Sequence, residues 1–143
     1  MLNKKNYILL ISSLIFLSFS CSNPQKELIG FWENDEKILE FTEQTFVIYN
    51  KTYENVIAFS GFYEFAKEPA FALKMSYKYA MDNNGSWTSL EGTDLENYED
   101  IILFKIDSNF LQTKVLGNGK SYTYTKTSNP LDELDVKNST NQK

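Results

Sequence analysis

The segment Ala70-Phe71-Ala72-Leu73-Lys74-Met75-Ser76-Tyr77-Lys78-Tyr79-Ala80 decides how the rest of the chain is read. Phe71, Leu73, Met75, Tyr77 and Tyr79 fall on one side of a two-residue repeat. Ala70, Ala72, Lys74, Ser76 and Lys78 fall on the other. Successive side chains of a pleated strand point to opposite faces, so this period is that of a strand with one face buried. The same alternation recurs on both sides. Upstream, Phe46 and Ile48 alternate with Thr45, Val47 and Tyr49, and Ile57, Phe59, Gly61, Tyr63 and Phe65 share a face. Downstream, Ile102, Phe104 and Ile106 alternate with Ile101, Leu103 and Lys105, and Tyr122 and Tyr124 with Ser121, Thr123 and Thr125. β-branched and aromatic residues dominate these runs, as pleated surfaces favour.

Short turn-like breaks separate the runs: Glu43-Gln44, Asn50-Lys51, Lys67-Glu68-Pro69, Asp82-Asn83-Asn84-Gly85, Ser108-Asn109 and Gly117-Asn118-Gly119. Connections this short join antiparallel neighbours, because parallel strands need long crossovers. The pattern predicts an all-β domain over 28–127. It is an antiparallel meander of about eight strands near 30–34, 37–42, 45–50, 56–65, 70–80, 101–106, 110–116 and 121–127. Residues 86–90 can pair with the fifth strand as a ninth, 91–100 is the longest connection, and no helix is predicted before residue 128. Closing such a meander into a small barrel buries one face and hides both edges. Gly61, inside a long strand, marks a bend or bulge.

Composition narrows the chemistry. The chain has 143 residues, one Cys, no His and a formal charge of −5, with every basic residue a Lys. Without His it lacks the commonest general base and metal ligand. Without Arg it lacks the preferred bidentate reader of phosphate. One Cys makes neither an intrachain disulfide nor a Cys-rich zinc site. The lysines form no basic stripe, so no nucleic-acid partner is expected, and no motif implies a cofactor.

Residues 1–20 read as a signal peptide. Lys4 and Lys5 precede an uncharged apolar stretch from Tyr7 to Phe19. As a helix that stretch spans roughly 20 Å, short of the ~30 Å hydrocarbon core. The stretch ends in Leu17-Ser18-Phe19-Ser20-Cys21, which resembles the lipobox of bacterial lipoproteins. The resemblance implies that Cys21 takes a diacylglycerol and becomes the new N-terminus, anchoring the protein to the membrane through lipid. Ser18 stands where Leu is usual. The alternatives are an ordinary secretory signal and a retained N-terminal anchor. Ser22 stands where some lipoproteins carry the Asp that retains them at the inner membrane, which implies a cell-envelope location at the outer membrane. Residues 21–27 read as a short polar tether. Residues 128–143 read as a disordered tail with a weak helix at Leu131–Val136 and a chance sequon at Asn138-Ser139-Thr140.

Leu28-Ile29-Gly30-Phe31-Trp32 resembles the opening of a lipocalin-like domain, whose first strand carries Gly-x-Trp. The following steps are similar as well: Ile38-Leu39-Glu40-Phe41, Thr45-Phe46-Val47-Ile48, Ser60-Gly61-Phe62-Tyr63-Glu64 and Phe71-Ala72-Leu73-Lys74-Met75. The resemblance covers about 28–78. It implies that Trp32 plugs the closed end of the barrel. In larger members an Arg on a late strand packs over that Trp, and this chain has none. A barrel of eight strands is either filled by its own side chains or holds one small ligand.

No catalytic constellation stands out. Glu40 and Glu64 sit where outward side chains are expected. Glu91, Asp94, Glu96, Glu99 and Asp100 lack the order of a calcium loop. Gly117-Asn118-Gly119-Lys120-Ser121 ends like a phosphate loop but precedes a strand pattern, so it reads as a hairpin turn. The aromatics are the strongest feature. They read as core, or as an apolar pocket rimmed by Tyr63, Tyr77, Tyr79, Tyr122 and Tyr124, whose hydroxyls provide polar anchors. The expected function is non-catalytic: binding of a small apolar ligand or of a protein partner. The alternative is a structural or adhesive surface module with a filled core, presenting Trp87 and Tyr98.

Overall fold

The structure, a computed structural model, describes residues 23–51, 56–67 and 71–131. The leader, Cys21, Ser22, Glu68-Pro69 and the tail beyond Leu131 lie outside the described residues. A helix α1 (Pro24–Leu28) precedes nine strands: β1 (Gly30–Glu33), β2 (Lys37–Phe41), β3 (Thr45–Asn50), β4 (Val56–Phe65), β5 (Ala72–Asp82), β6 (Trp87–Ser89), β7 (Glu99–Asp107), β8 (Phe110–Val115) and β9 (Ser121–Thr127).

Neighbouring strands pair antiparallel in the order β1-β2-β3-β4-β5-β7-β8-β9, and β9 pairs back onto β1. Eight strands therefore close a barrel, in which each of the eight has a paired neighbour on both sides. β6 adds to the far half of β5, outside the ring. The Gly117–Gly119 segment is a hairpin turn, closed by the Gly119 N–H on the Val115 carbonyl at 2.9 Å.

The registers assign the two ends. Helix α1 and the turns β2–β3, β4–β5 and β7–β8 lie at one end. The turns β1–β2, β3–β4, β5–β6 and β8–β9 lie at the other, together with residues 90–98. The first end is filled. Leu28 and Trp32 have no exposed surface, and Phe41, Phe46, Leu73, Met75 and Leu111 are buried beside them. Phe41 meets the edge of Tyr63 at 5.4 Å between centroids, and Phe65 packs on Phe104 at 5.9 Å. Each large apolar side chain so buried contributes about 1.5–3 kcal/mol.

Four expectations change. Residues 24–27, read as tether, form a helical turn together with Leu28. Asn23 caps it through the Gln25 N–H at 3.1 Å, Pro24 starts it without losing a helical hydrogen bond, and Leu28 buries its end in the barrel. The fifth strand starts at Ala72. Phe71 lies in a turn at φ 59° and is exposed. Tyr79 leaves the face it shares with Tyr77 in the sequence pattern. Ser60 opposes Tyr79 and Gly61 opposes Tyr77, so Lys78 is an extra residue in the ladder, and one extra residue reverses the alternation. Gly61 is what permits this, because a Cβ there would collide with the Ser76 carbonyl oxygen. Finally, Pro130, within the segment read as a disordered tail, is buried.

Candidate functional site

Toward the open end the side chains no longer meet across the barrel. Lys37 starts β2 and Asn50 ends β3, opposite one another in the ladder. The alternation through Leu39 and Phe41 turns Lys37 inward. Tyr77 is the last residue of β5 to point inward before the bulge. Two cavities result. A cleft of about 410 Å³ at the mouth is walled by Ile48, Phe59, Leu90 and Leu95, with Tyr77 and Tyr98 beside them. Lys37 and Asn50 supply its polar rim. A deeper cavity of about 130 Å³ lies behind it and reaches Tyr122, Tyr124 and Thr113. Lys37, Ile48 and Tyr77 line both, so they form the neck between the two spaces.

Residues 90–98 form one side of the mouth because both their ends are tied to β5. The Leu90 N–H donates to the Lys78 carbonyl at 2.9 Å, and the Tyr77 N–H donates to the Tyr98 carbonyl at 3.2 Å. These β5 groups lie on the side of the strand away from β4, between the residues paired with β7 (72–76) and those paired with β6 (79–81). Inside the segment, Thr93 Oγ1 donates to the Leu90 carbonyl at 2.6 Å and the Gly92 N–H to Glu96 Oε2 at 2.8 Å. A loop with its ends together and its own hydrogen bonds is a compact wall. Leu90 is buried under it, while Leu95 stays 40% exposed and faces the cleft.

Asp100 is the acidic group of the interior. Tyr77 Oη donates to its Oδ2 at 3.0 Å and Tyr98 Oη to its Oδ1 at 3.2 Å. Burial, then the Asp100 charge, pushes the Tyr77 phenol far above its ordinary value, and the Asp100 charge also raises Tyr98. Burial raises Tyr124 as well. These hydroxyls stay protonated at neutral pH, and those of Tyr77 and Tyr98 act as donors to Asp100. Lys37 Nζ lies 4.7 Å from the centroid of the Tyr122 ring, a cation–π contact.

No family model matches this chain, and no curated protein or solved structure matches it either.

The five tyrosines read from the sequence divide. Tyr77 is at the neck, and Tyr122 and Tyr124 line the deeper cavity. Tyr63 belongs to the filled end, buried with its hydroxyl donating to the Thr42 carbonyl at 2.6 Å. Tyr79 is on the outer face. Trp32 is fully buried in the filled end, with Lys126 Nζ 4.9 Å from its ring centroid and also donating to the Glu27 carbonyl at 3.0 Å.

Three of the five acids of 91–100 have separate partners. Glu96 holds Gly92, Glu99 pairs with Lys74 at 3.0 Å, and Asp100 holds the two tyrosines. Among the described residues no group of three metal-ligating side chains forms. The mouth residues that sequence reading missed are Lys37, Phe59, Leu90 and Leu95. Their signals were weak but present: Lys37 is in phase with Leu39 and Phe41, and Leu90 and Leu95 are lone apolar residues in or beside an acidic stretch.

Proposed function

We propose that this chain is a lipid-anchored protein of the cell envelope whose lipocalin-like barrel binds a small apolar ligand, without catalysis. The observation that carries the reading is the mouth cleft of about 410 Å³, walled by aliphatic and aromatic side chains with few polar groups. That size and lining are those of small-molecule sites, which take up about 300–1,000 Å³. Tyr77 and Tyr98 line the cleft while their hydroxyls are committed to Asp100. A ligand therefore meets a wall whose polar atoms are already satisfied.

The position of the N-terminus supports the anchoring part. Helix α1 lies at the filled end, and Cys21 precedes Asn23 by two residues, at most about 7 Å of chain. A lipid on Cys21 holds the filled end near the bilayer, with the mouth opening away from it. The ligand then comes from the aqueous side.

A fluorescent apolar probe and the full chain in lipid nanodiscs test the binding. Saturable probe binding is expected, abolished by Leu95→Asp, which places a carboxylate in the cleft at an exposed position. Equal binding by wild type and variant, or none by wild type, would falsify the reading. Cys21→Ser is expected to move the protein out of the membrane fraction; retention there counts against the anchor.

A further inference from the structure

We propose that the ligand of the mouth cleft carries an anionic group, received by Lys37 Nζ and the Asn50 side-chain amide. The proposal rests on the reading of the cleft as a ligand site and adds the chemical class of the ligand: an amphiphile with one apolar body and one anionic head.

Three observations carry it. Lys37 and Asn50 face each other on one rung of the β2–β3 ladder, and both line the cleft. Opposed residues of an antiparallel pair have Cα atoms about 4.5–5.5 Å apart, so an ammonium and an amide N–H₂ are available to one acceptor. Second, Lys37 is without a carboxylate partner among the described residues. The ion pairs there are Lys51 with Glu33 and Lys74 with Glu99, and the Lys37 ammonium rests only on the Tyr122 ring. A lysine placed on the inner face of a barrel strand loses part of its hydration, and a ring face replaces little of it. An anion in the cleft restores a charge-assisted hydrogen bond. Third, the opposing charge is already engaged. Asp100 accepts one tyrosine hydroxyl on each oxygen and does not line the mouth cleft, so no carboxylate is among the lining residues of that cleft. A cationic head in the cleft finds no carboxylate in its lining, whereas an anionic head meets an ammonium held only by a ring.

The neck position of Lys37 sets the orientation. It lines both the mouth cleft and the deeper cavity of about 130 Å³. With the head at Lys37 and Asn50, the apolar body lies against Leu95 and along Ile48 and Phe59, which sit two residues further from the mouth in the ladders.

Octanoate, octanol and octylammonium, matched in chain length, separate the head group from the apolar body. Each competes against the apolar probe on the full chain in nanodiscs at neutral pH, with empty nanodiscs as blank. Octanoate is expected to displace the probe at concentrations about tenfold or more below octanol, with octylammonium weakest, as a charge-assisted hydrogen bond implies. Lys37→Met should bring octanoate to the level of octanol and leave octanol unchanged. Lys37→Glu should invert the order of octanoate and octylammonium. Equal displacement by octanoate and octanol in the wild type, or a preference that survives both substitutions, overturns the head-group assignment while octanol displacement keeps the cleft as a site. Failure of all three compounds and of the probe overturns both.

Discussion

The indole N–H of Trp32 donates to the Leu28 carbonyl at 2.7 Å, and neither residue has any exposed surface. This bond joins the end of helix α1 to the first strand across a tight turn in which Gly30 adopts φ +122°. It satisfies a helix-end carbonyl that is out of reach of water. Trp32→Phe removes the donor, orphans that carbonyl and leaves a void. The expected loss is about 2–4 kcal/mol, read from urea unfolding. A loss under about 1 kcal/mol would show that the helix end has another partner.

Lys126 fastens the same corner from the last strand, through the Trp32 ring and the Glu27 carbonyl. Its charge is solvent-exposed, so the contact is worth about 1 kcal/mol or less. Lys126→Met is expected to lower stability by that amount at low salt. Unchanged urea midpoints would mean that Trp32 and Leu28 hold the corner alone.

Gly61 and Gly117 make a controlled pair. A Cβ at Gly61 meets the Ser76 backbone oxygen, whereas at Gly117 it meets open space. Gly61→Ala therefore forces β4 and β5 apart and should cost about 3 kcal/mol or more, or prevent folding, while Gly117→Ala should stay within about 0.5 kcal/mol of wild type. Similar melting temperatures for the two variants would contradict the close strand approach at the bulge.

Alkaline pH should unfold the barrel. Burial raises the phenols of Tyr77, Tyr124 and Tyr49 above the ordinary 10.0, Tyr49 to about 12 with Glu40 adding to it. A group raised in the folded state contributes its full stability below its unfolded value and loses it as pH rises toward the folded one. Stability should hold up to about pH 10 and fall above it, and tyrosinate absorbance should rise together with unfolding. Titration of every tyrosine near 10 in a still-folded protein would show that these hydroxyls are hydrated.

Tyr79 and Tyr77 differ by one bulge. Tyr79→Ser, on the outer face, is expected to leave probe binding unchanged, whereas Tyr77→Ala opens the neck and should weaken it about tenfold or more, as loss of a buried aromatic anchor does. A loss of binding in Tyr79→Ser would place the ligand outside the barrel.

The strand pattern was readable because each strand buries one face, and a period of two records that directly. Phe46 and Ile48, Ile102 and Phe104, and Tyr122 and Tyr124 all point inward as their alternation implies. Reading failed where one residue changes the phase. Lys78 looks like any outward lysine of an alternating run, yet as the extra residue of the bulge it sends Tyr79 out. Helix α1 was missed because five residues are too few for a helical period; only Asn23-Pro24 signals it. The cleft was half legible. Tyr77 and Tyr122 were singled out, but Leu90 and Leu95 come from a connection whose path no local pattern records.

Sequence alone determined the class of the fold, the antiparallel order of its strands and the inward aromatic faces, because these follow from local periodicity and short turns. Only the tertiary structure decided that Trp32 and Leu28 are buried together at one end, and that the other stays open between Lys37, Tyr77 and Leu95. Those outcomes depend on contacts between residues up to 99 positions apart, such as Lys126 on Glu27. Whether facing side chains meet or leave a gap is set by strand tilt and register, not by neighbours in the chain.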